Sequence, residues 1–302
     1  MHVHGSNLAG KRAHKSKYRD PESVKYLKEI QIEYDKWKGE NLSLKGPGVR
    51  ATKDDQLILE RRVQLLQRYK DFIDQQHYAE KFDSRSNLHS SVLEEFMLFL
   101  FKDLVAEISG HALIGKSHAF KDIFFRANSF GQLLTKPEIM IEKKDHDFTI
   151  GVHVDATFQP NGQIAGVVDN WDIPAVAVEC KTYLDKTMLQ DASTAAEQIK
   201  QKNPNAMYIV VAEWLKLTEA VNLKKYKIDQ IYILRKQKNT DREFRFAEDY
   251  VKKPIHADVV SHLFFEVRDF LTKSWEGGIA HGLERGYLIE TSYANKGALK
   301  EE

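Results

Sequence analysis

Residues 175–183 read A-V-A-V-E-C-K-T-Y, an apolar run that ends in an acid, one spacer and a lysine. Side chains alternate faces along a strand, so Glu179 and Lys181 point the same way and Cys180 the other. The stretch sets a carboxylate beside an ammonium, a pair that can hold a divalent cation and steady a nucleophilic water during phosphodiester hydrolysis. Pro174 introduces the run and a helix signal follows it, the setting in which a strand delivers side chains into a crevice. One other Glu-x-Lys triplet occurs, Glu142 and Lys144 in I-M-I-E-K-K-D-H-D, and it leads into a charged run with turn character. The chemistry is therefore assigned to Glu179 and Lys181 in preference to a surface ion pair at a strand end.

Working outward, the next segment, Lys186 to Gln201, places Met188, Leu189, Ala192, Ala195, Ala196 and Ile199 on one helical face. Its small alanines suit close packing against a sheet. Upstream, P-E-I-M-I-E and D-F-T-I-G-V-H-V-D-A-T-F give two further β-rich runs, with P-N-G at 160 to 162 as a turn. Downstream, A-M-Y-I-V-V-A-E and D-Q-I-Y-I-L-R read as buried strands, and helices from about Ala257 close the chain. The order predicts a mixed sheet sandwiched between helices, with the Lys186 helix as a crossover.

The first half reads as helical. P-E-S-V-K-Y-L-K-E-I-Q-I-E-Y-D-K-W-K places Val24, Leu27, Ile30, Tyr34 and Trp37 near helical spacing, with Pro21 in the first turn. G-P-G at 46 to 48 breaks the pattern, and a second helix from about Asp54 to Ala79 offers Leu57, Leu59, Val63, Leu66, Tyr69 and Phe72 as inward positions. Then S-R-S-N-L-H-S-S leads into V-L-E-E-F-M-L-F-L-F-K-D-L-V-A-E-I, apolar nearly all round and so a buried central helix. Glu94 and Glu95 lie one turn inside it, where an ionised carboxylate needs a partner. Residues 1–85 are expected to form an N-terminal helical subdomain with a basic tail, and 86–302 the main domain.

Composition narrows the class. With 42% hydrophobic and 29% charged residues the chain reads as an ordinary soluble protein, and no run approaches a membrane span. The start lacks the apolar core of a signal peptide, so a cytoplasmic location is expected. The single cysteine excludes an internal disulfide and argues against structural zinc. Net charge is +1, so bulk charge says nothing about nucleic acid, but basic residues are focused. They gather in G-K-R-A-H-K-S-K-Y-R, read as a solvated or floppy tail, and between Trp214 and Arg245, which holds nine Lys/Arg against four Asp/Glu. The aromatic run F-K-D-I-F-F-R reads as core.

A hard cation on a phosphodiester is usually held by two acids plus waters and phosphate oxygens, so Glu179 needs a partner. Asp147 opens a β-run, Asp155 has the shorter loop to Glu179, and Glu138 follows Pro137; spacing leaves all three open. H-D-F-T-I-G followed by A-V-A-V-E-C-K resembles the paired signature of the PD-(D/E)XK nucleases. With L-E-E-F before it and K-T-Y-L-D-K-T-M-L-Q-D-A after it, the stretch from Leu88 to Lys236 is similar to type II restriction endonucleases.

That resemblance implies an α/β restriction-endonuclease-like core, Mg²⁺ as cofactor and double-stranded DNA as substrate, cut at a specific sequence to leave 5′-phosphates. It implies Asp147 and Glu179 as metal-binding acids, the Cys180 carbonyl as a backbone ligand, Lys181 as the catalytic lysine, and Glu95, less directly Glu94, as an additional acid. His146 stands where the family signature often has proline. DNA contacts are expected from Thr182 and Lys186, and from Arg235, Lys236 and Arg242 in the basic loop 234–245. Double-strand cutting with one site per chain implies a homodimer or pairing with a related subunit. Two other readings keep the same core: a structure-specific or repair nuclease, for which no helicase or ATPase motif is present, and a non-catalytic DNA-binding protein with a degenerate site.

Overall fold

The computed structural model describes residues 2–82, 87–135, 138–159, 161, 166–238, 249–275 and 279–286. The chain opens with five helices: α1 (Val3–Ala13), α2 (Pro21–Ser43), α3 (Asp55–Ile73), α4 (Gln76–Lys81) and α5 (Ser90–Ile108). β1 (Leu113–Arg126), the short α6 (Phe130–Thr135), β2 (Glu138–Phe158) and β3 (Val167–Leu184) follow. α7 (Lys186–Lys202) crosses to β4 (Met207–Leu215), then come β5 (Gln230–Ile233), α8 (Ala257–Thr272) and α9 (Ile279–Arg285).

Among the described residues five strands form one sheet in the order β1-β2-β3-β4-β5. The first three run antiparallel to their neighbours, and β3, β4 and β5 run parallel. Strand alternation sorts the two faces. Val176, Val178 and Cys180 of β3 join Ile209 and Val211 of β4 in a core with α5 and α8, while Ala177, Tyr208, Val210 and Ala212 pack on Leu189, Ala192, Ala195 and Ile199 of α7. The alanines bring α7 close to the sheet, as the sequence predicts. Asp185 fixes its start by accepting from Met188 N at 2.8 Å, so the turn after β3 is short and rigid.

The helices of the first 82 residues share this core. Leu27, Ile30, Tyr34 and Trp37 of α2 and Leu59, Val63, Leu66 and Tyr69 of α3 belong to the same buried cluster as Phe148 and Val178 of the sheet. Val24 and Leu57, at the outer edge of the expected stripes, are instead exposed. The opening residues depart further from expectation. α1 is a packed helix, with Leu8 buried and the His4 ring bonded to Tyr69 Oη at 2.6 Å and Ser91 Oγ at 2.9 Å. The basic residues Lys11 and Arg12 fall in its last turn, after the two buried anchors His4 and Leu8, which lie one turn apart.

The strands differ most from the sequence reading. The runs at 138–142 and 147–158 are one strand, and the charged K-K-D-H-D between them continues it. β1 pairs with β2 from Leu113↔Gly151 out to Arg126↔Glu138, and cross-strand ion pairs Arg126–Glu138, Lys121–Glu142 and His118–Asp145 replace apolar alternation there. The F-K-D-I-F-F-R segment lies in this arm, with Phe124 and Phe125 exposed, and is not core. Ser84, Arg85 and Ser86, read as capping residues, and Pro160 and Gly162 of the expected turn lie outside the described residues.

Candidate active site

The site forms where β2 and β3 pass under the first turns of α5 and α7. Phe148 pairs with Val178, which brings Asp147 beside Glu179 and Lys181. The Cys180 backbone N–H donates to Asp147 Oδ2 at 2.9 Å. Lys181 Nζ donates to the same oxygen at 3.3 Å and to Glu179 Oε1 at 2.6 Å. Two carboxylates thus share one ammonium in a cleft of about 850 Å³ lined also by Glu94, Thr182, Lys116 and Lys144.

A β-bulge aims the first acid. The β1–β2 register steps from Gly115↔Thr149 to Ser117↔His146, so Lys116 alone faces both Asp147 and Phe148. Gly115 takes φ of +126°, which L side chains rarely adopt, on the β1 side of the irregularity. Phe148 keeps its ring in the core while Asp147 turns into the cleft, the re-aiming that bulges provide near active sites.

Burial and the closeness of the two acids set the electrostatics of the cluster. Burial, and then the neighbouring Asp147 charge, raise the Glu179 carboxyl above the usual range, against the pull of Lys181. Burial alone would lower the Lys181 ammonium, but Asp147 and Glu179 together push it well up, so it stays charged. Glu94 is raised to about 7 by burial and by Asp147, with Lys116 and Lys181 opposing. Tyr208 Oη donates to Glu179 Oε2 at 3.4 Å and ties that carboxylate to β4.

The other two candidate acids lie away from this cluster. Asp155 is exposed and paired in register with Asn170, eight residues and up to about 26 Å along β2 from Asp147. Glu138 sits at the other end of β2, bound by Arg126 Nη2 at 2.8 Å. On α5 the preference between adjacent acids is reversed. Glu95 is buried on the far side, accepting from Tyr34 Oη at 2.8 Å and Gly5 N at 3.1 Å with His2 Nδ1 at 3.0 Å, whereas Glu94 faces the cleft. Adjacent helical positions diverge by about 100°, so only one of the two could reach it.

Among the expected DNA contacts, Thr182 lines the cleft and Lys186 is exposed at the start of α7. Arg235 is fully buried, its Nε donating to Glu213 Oε2 at 3.1 Å, so it is a structural residue and not a base reader. Lys236 is spent on an ion pair with Asp258, and Arg242 lies outside the described residues. Lys116, Lys144 and Tyr208 were missed. Lys144 belongs to the Glu-x-Lys triplet set aside as a turn, and Lys116 follows the glycine of L-I-G-K; recognising β1 as a strand would have drawn both toward Asp147.

The sequence model of the Bpu10I restriction endonuclease family matches residues 85–288, more than half the chain. The chain belongs to the Bpu10I restriction endonuclease family. The expected likeness to restriction endonucleases is borne out, and family membership makes the chain a nuclease acting on DNA. Its fold is shared with a solved structure described as the native BbvCI A2B2 tetramer, at a TM-score of 0.66 and 19% identity over 90% of this chain and 97% of that one. No curated protein matches the chain. The family match spans Glu94, Asp147, Glu179 and Lys181, so the cleft lies within the part of the chain that carries the Bpu10I family likeness.

Proposed function

We propose that this cleft hydrolyses phosphodiester bonds of double-stranded DNA with Mg²⁺, at a specific sequence, leaving 5′-phosphates. The observation that carries the reading is the Lys181 ammonium bonded to both Asp147 and Glu179 within the cleft. The donor set fits Mg²⁺. Among the described residues no three His, Cys, Asp or Glu side chains are placed to cage a metal, and Mg²⁺ is usually held by one or two carboxylates plus waters and substrate phosphates.

Asp147 and Glu179 would hold the ion, with the Cys180 carbonyl as the backbone ligand and Glu94 as the further acid facing them. When bound, Mg²⁺ supplies charge neutralisation at the phosphate and a more acidic water. Lys181 is oriented by two carboxylates to hydrogen-bond the attacking water and to stabilise charge growing on the phosphate oxygens. The water oxygen bonds to phosphorus and releases a proton to solvent as the P–O3′ bond breaks, and the 3′-oxygen takes up a proton from solvent.

One cleft per chain cuts one strand. Double-strand cleavage then takes a second cleft, and the A2B2 composition printed for the BbvCI structure supports assembly with a second copy or a related subunit. Among the described residues no helix is long and apolar enough to cross a membrane.

Plasmid DNA incubated with the protein and Mg²⁺ tests this. Nicked or linear product cut at fixed positions, with ends that ligate through a 5′-phosphate, is expected. A position-independent ladder, or plasmid left intact, would overturn it.

A further inference from the structure

The cleft carries more positive charge than the proposed catalysis uses. Glu94, Asp147, Glu179 and Lys181 line it, and its β1–β2 wall presents Lys116, Lys121 and Lys144. Lys121 is neutralised by Glu142. Lys116 and Lys144 are exposed and make no ion pair among the described residues, although four carboxylates, Glu94, Asp147, Glu179 and Asp191, line the same cleft. Lysines that served only to balance those acids would be expected to close onto them, as Lys181 does.

Their placement is fixed by the backbone. Lys116 is the single residue opposite Asp147 and Phe148 in the bulge, next to the glycine at φ +126°, so its side chain is held at the cleft by the same irregularity that aims Asp147. Lys144 lies three residues before Asp147, about 10 Å along β2. DNA rises about 3.4 Å per phosphate along one strand, so the wall spans about three phosphates. Each lysine tip is a compact charge on a flexible stem, suited to a phosphate and not to base reading.

We propose that Lys116 and Lys144 form a phosphate clamp beside the catalytic centre, each gripping a different phosphate next to the one being cut. The clamp rests on the DNA-cleaving reading above. It adds that the β1–β2 arm registers the substrate backbone, which sets how far the strand is fed into the cleft.

The test is binding of a labelled duplex of arbitrary sequence, by fluorescence anisotropy in EDTA, over a series of salt concentrations. Each phosphate contact contributes about 0.9 to the slope of log affinity against log salt, so Lys116→Gln with Lys144→Gln makes the slope shallower by about 1.8, and each alone by about 0.9. The double arginine variant, which keeps both charges, should return the wild-type slope. Lys53→Gln, an exposed lysine near the opposite end of α5, where Val49 N meets Glu107, serves as the control and leaves it unchanged. A wild-type slope in the double glutamine variant, with wild-type protein binding the duplex, overturns the clamp and leaves the nuclease reading standing. Failure of the wild-type protein to bind duplex overturns both.

Discussion

Replacing Arg235 by alanine separates a structural arginine from a DNA-reading one. Its guanidinium is fully buried, 3.1 Å from Glu213 Oε2 through both Nε and Nη2, donates Nη1 to the Lys253 carbonyl at 2.7 Å and lies 4.9 Å from the Trp214 ring centre. Glu213 is equally buried and has a second cation, Lys70, at 2.8 Å, which is shared with Asp74 at 3.1 Å. Truncation leaves the buried Glu213 with Lys70 alone, while Asp74 also has Lys252 at 3.7 Å. Breaking a buried pair costs about 3 to 5 kcal/mol, and Lys70 places the expected loss at the lower end. With an unfolding entropy of about 2.1 cal/mol/K per residue, a chain of 302 residues converts that range into a melting-temperature fall of about 5 to 8 °C. Calorimetry and duplex binding on the same samples provide the assay. Loss of DNA affinity with an unchanged melting temperature would refute the reasoning and return Arg235 to the DNA surface.

Other substitutions probe the remaining assignments. Glu95→Ala strips Tyr34, Gly5 and His2 of their acceptor and should cost about 3 kcal/mol in a denaturant titration while folded protein keeps its cleavage rate; Glu94→Ala should do the reverse. Burial holds His4 neutral down to about 3 and His146 down to about 4, against 6.5 when unfolded. The unfolded chain therefore binds more protons between those values, and stability falls as pH drops. At pH 5.5 the two together remove about 3 kcal/mol relative to pH 8, and melting curves of His4→Gln should show about half that pH dependence. Gly151→Ala would put a Cβ 2.2 Å from the Ile173 carbonyl oxygen, a backbone clash expected to lower the urea midpoint by an amount equivalent to about 1 to 3 kcal/mol.

The parts of the fold legible in the sequence are those where one period dominates. The α5 run, the alanine face of α7 and the apolar β3 and β4 runs each announce their element, and A-V-A-V-E-C-K places Glu179 and Lys181 on one side because alternation leaves no choice. The outer arm of β1 and β2 was illegible because its pairing rests on cross-strand charges, which in sequence look like a turn. Asp147 could be named but not separated from Asp155 and Glu138, since that choice depends on strand register and on a bulge. Glu94 and Glu95 differ only in which side of α5 they occupy, and the partner that claims Glu95 comes from α1 and α2, some sixty to ninety residues away. Arg235 looks like a loop arginine until Glu213 is seen to be buried against it.

The most direct test compares wild-type protein and Lys181→Ala on plasmid DNA with Mg²⁺, with duplex affinity measured alongside. Loss of the ammonium that Asp147 and Glu179 orient should slow strand cleavage at least about 100-fold while affinity stays within about twofold. Cleavage by Lys181→Ala at the wild-type rate would contradict the assignment of this cleft as the catalytic centre.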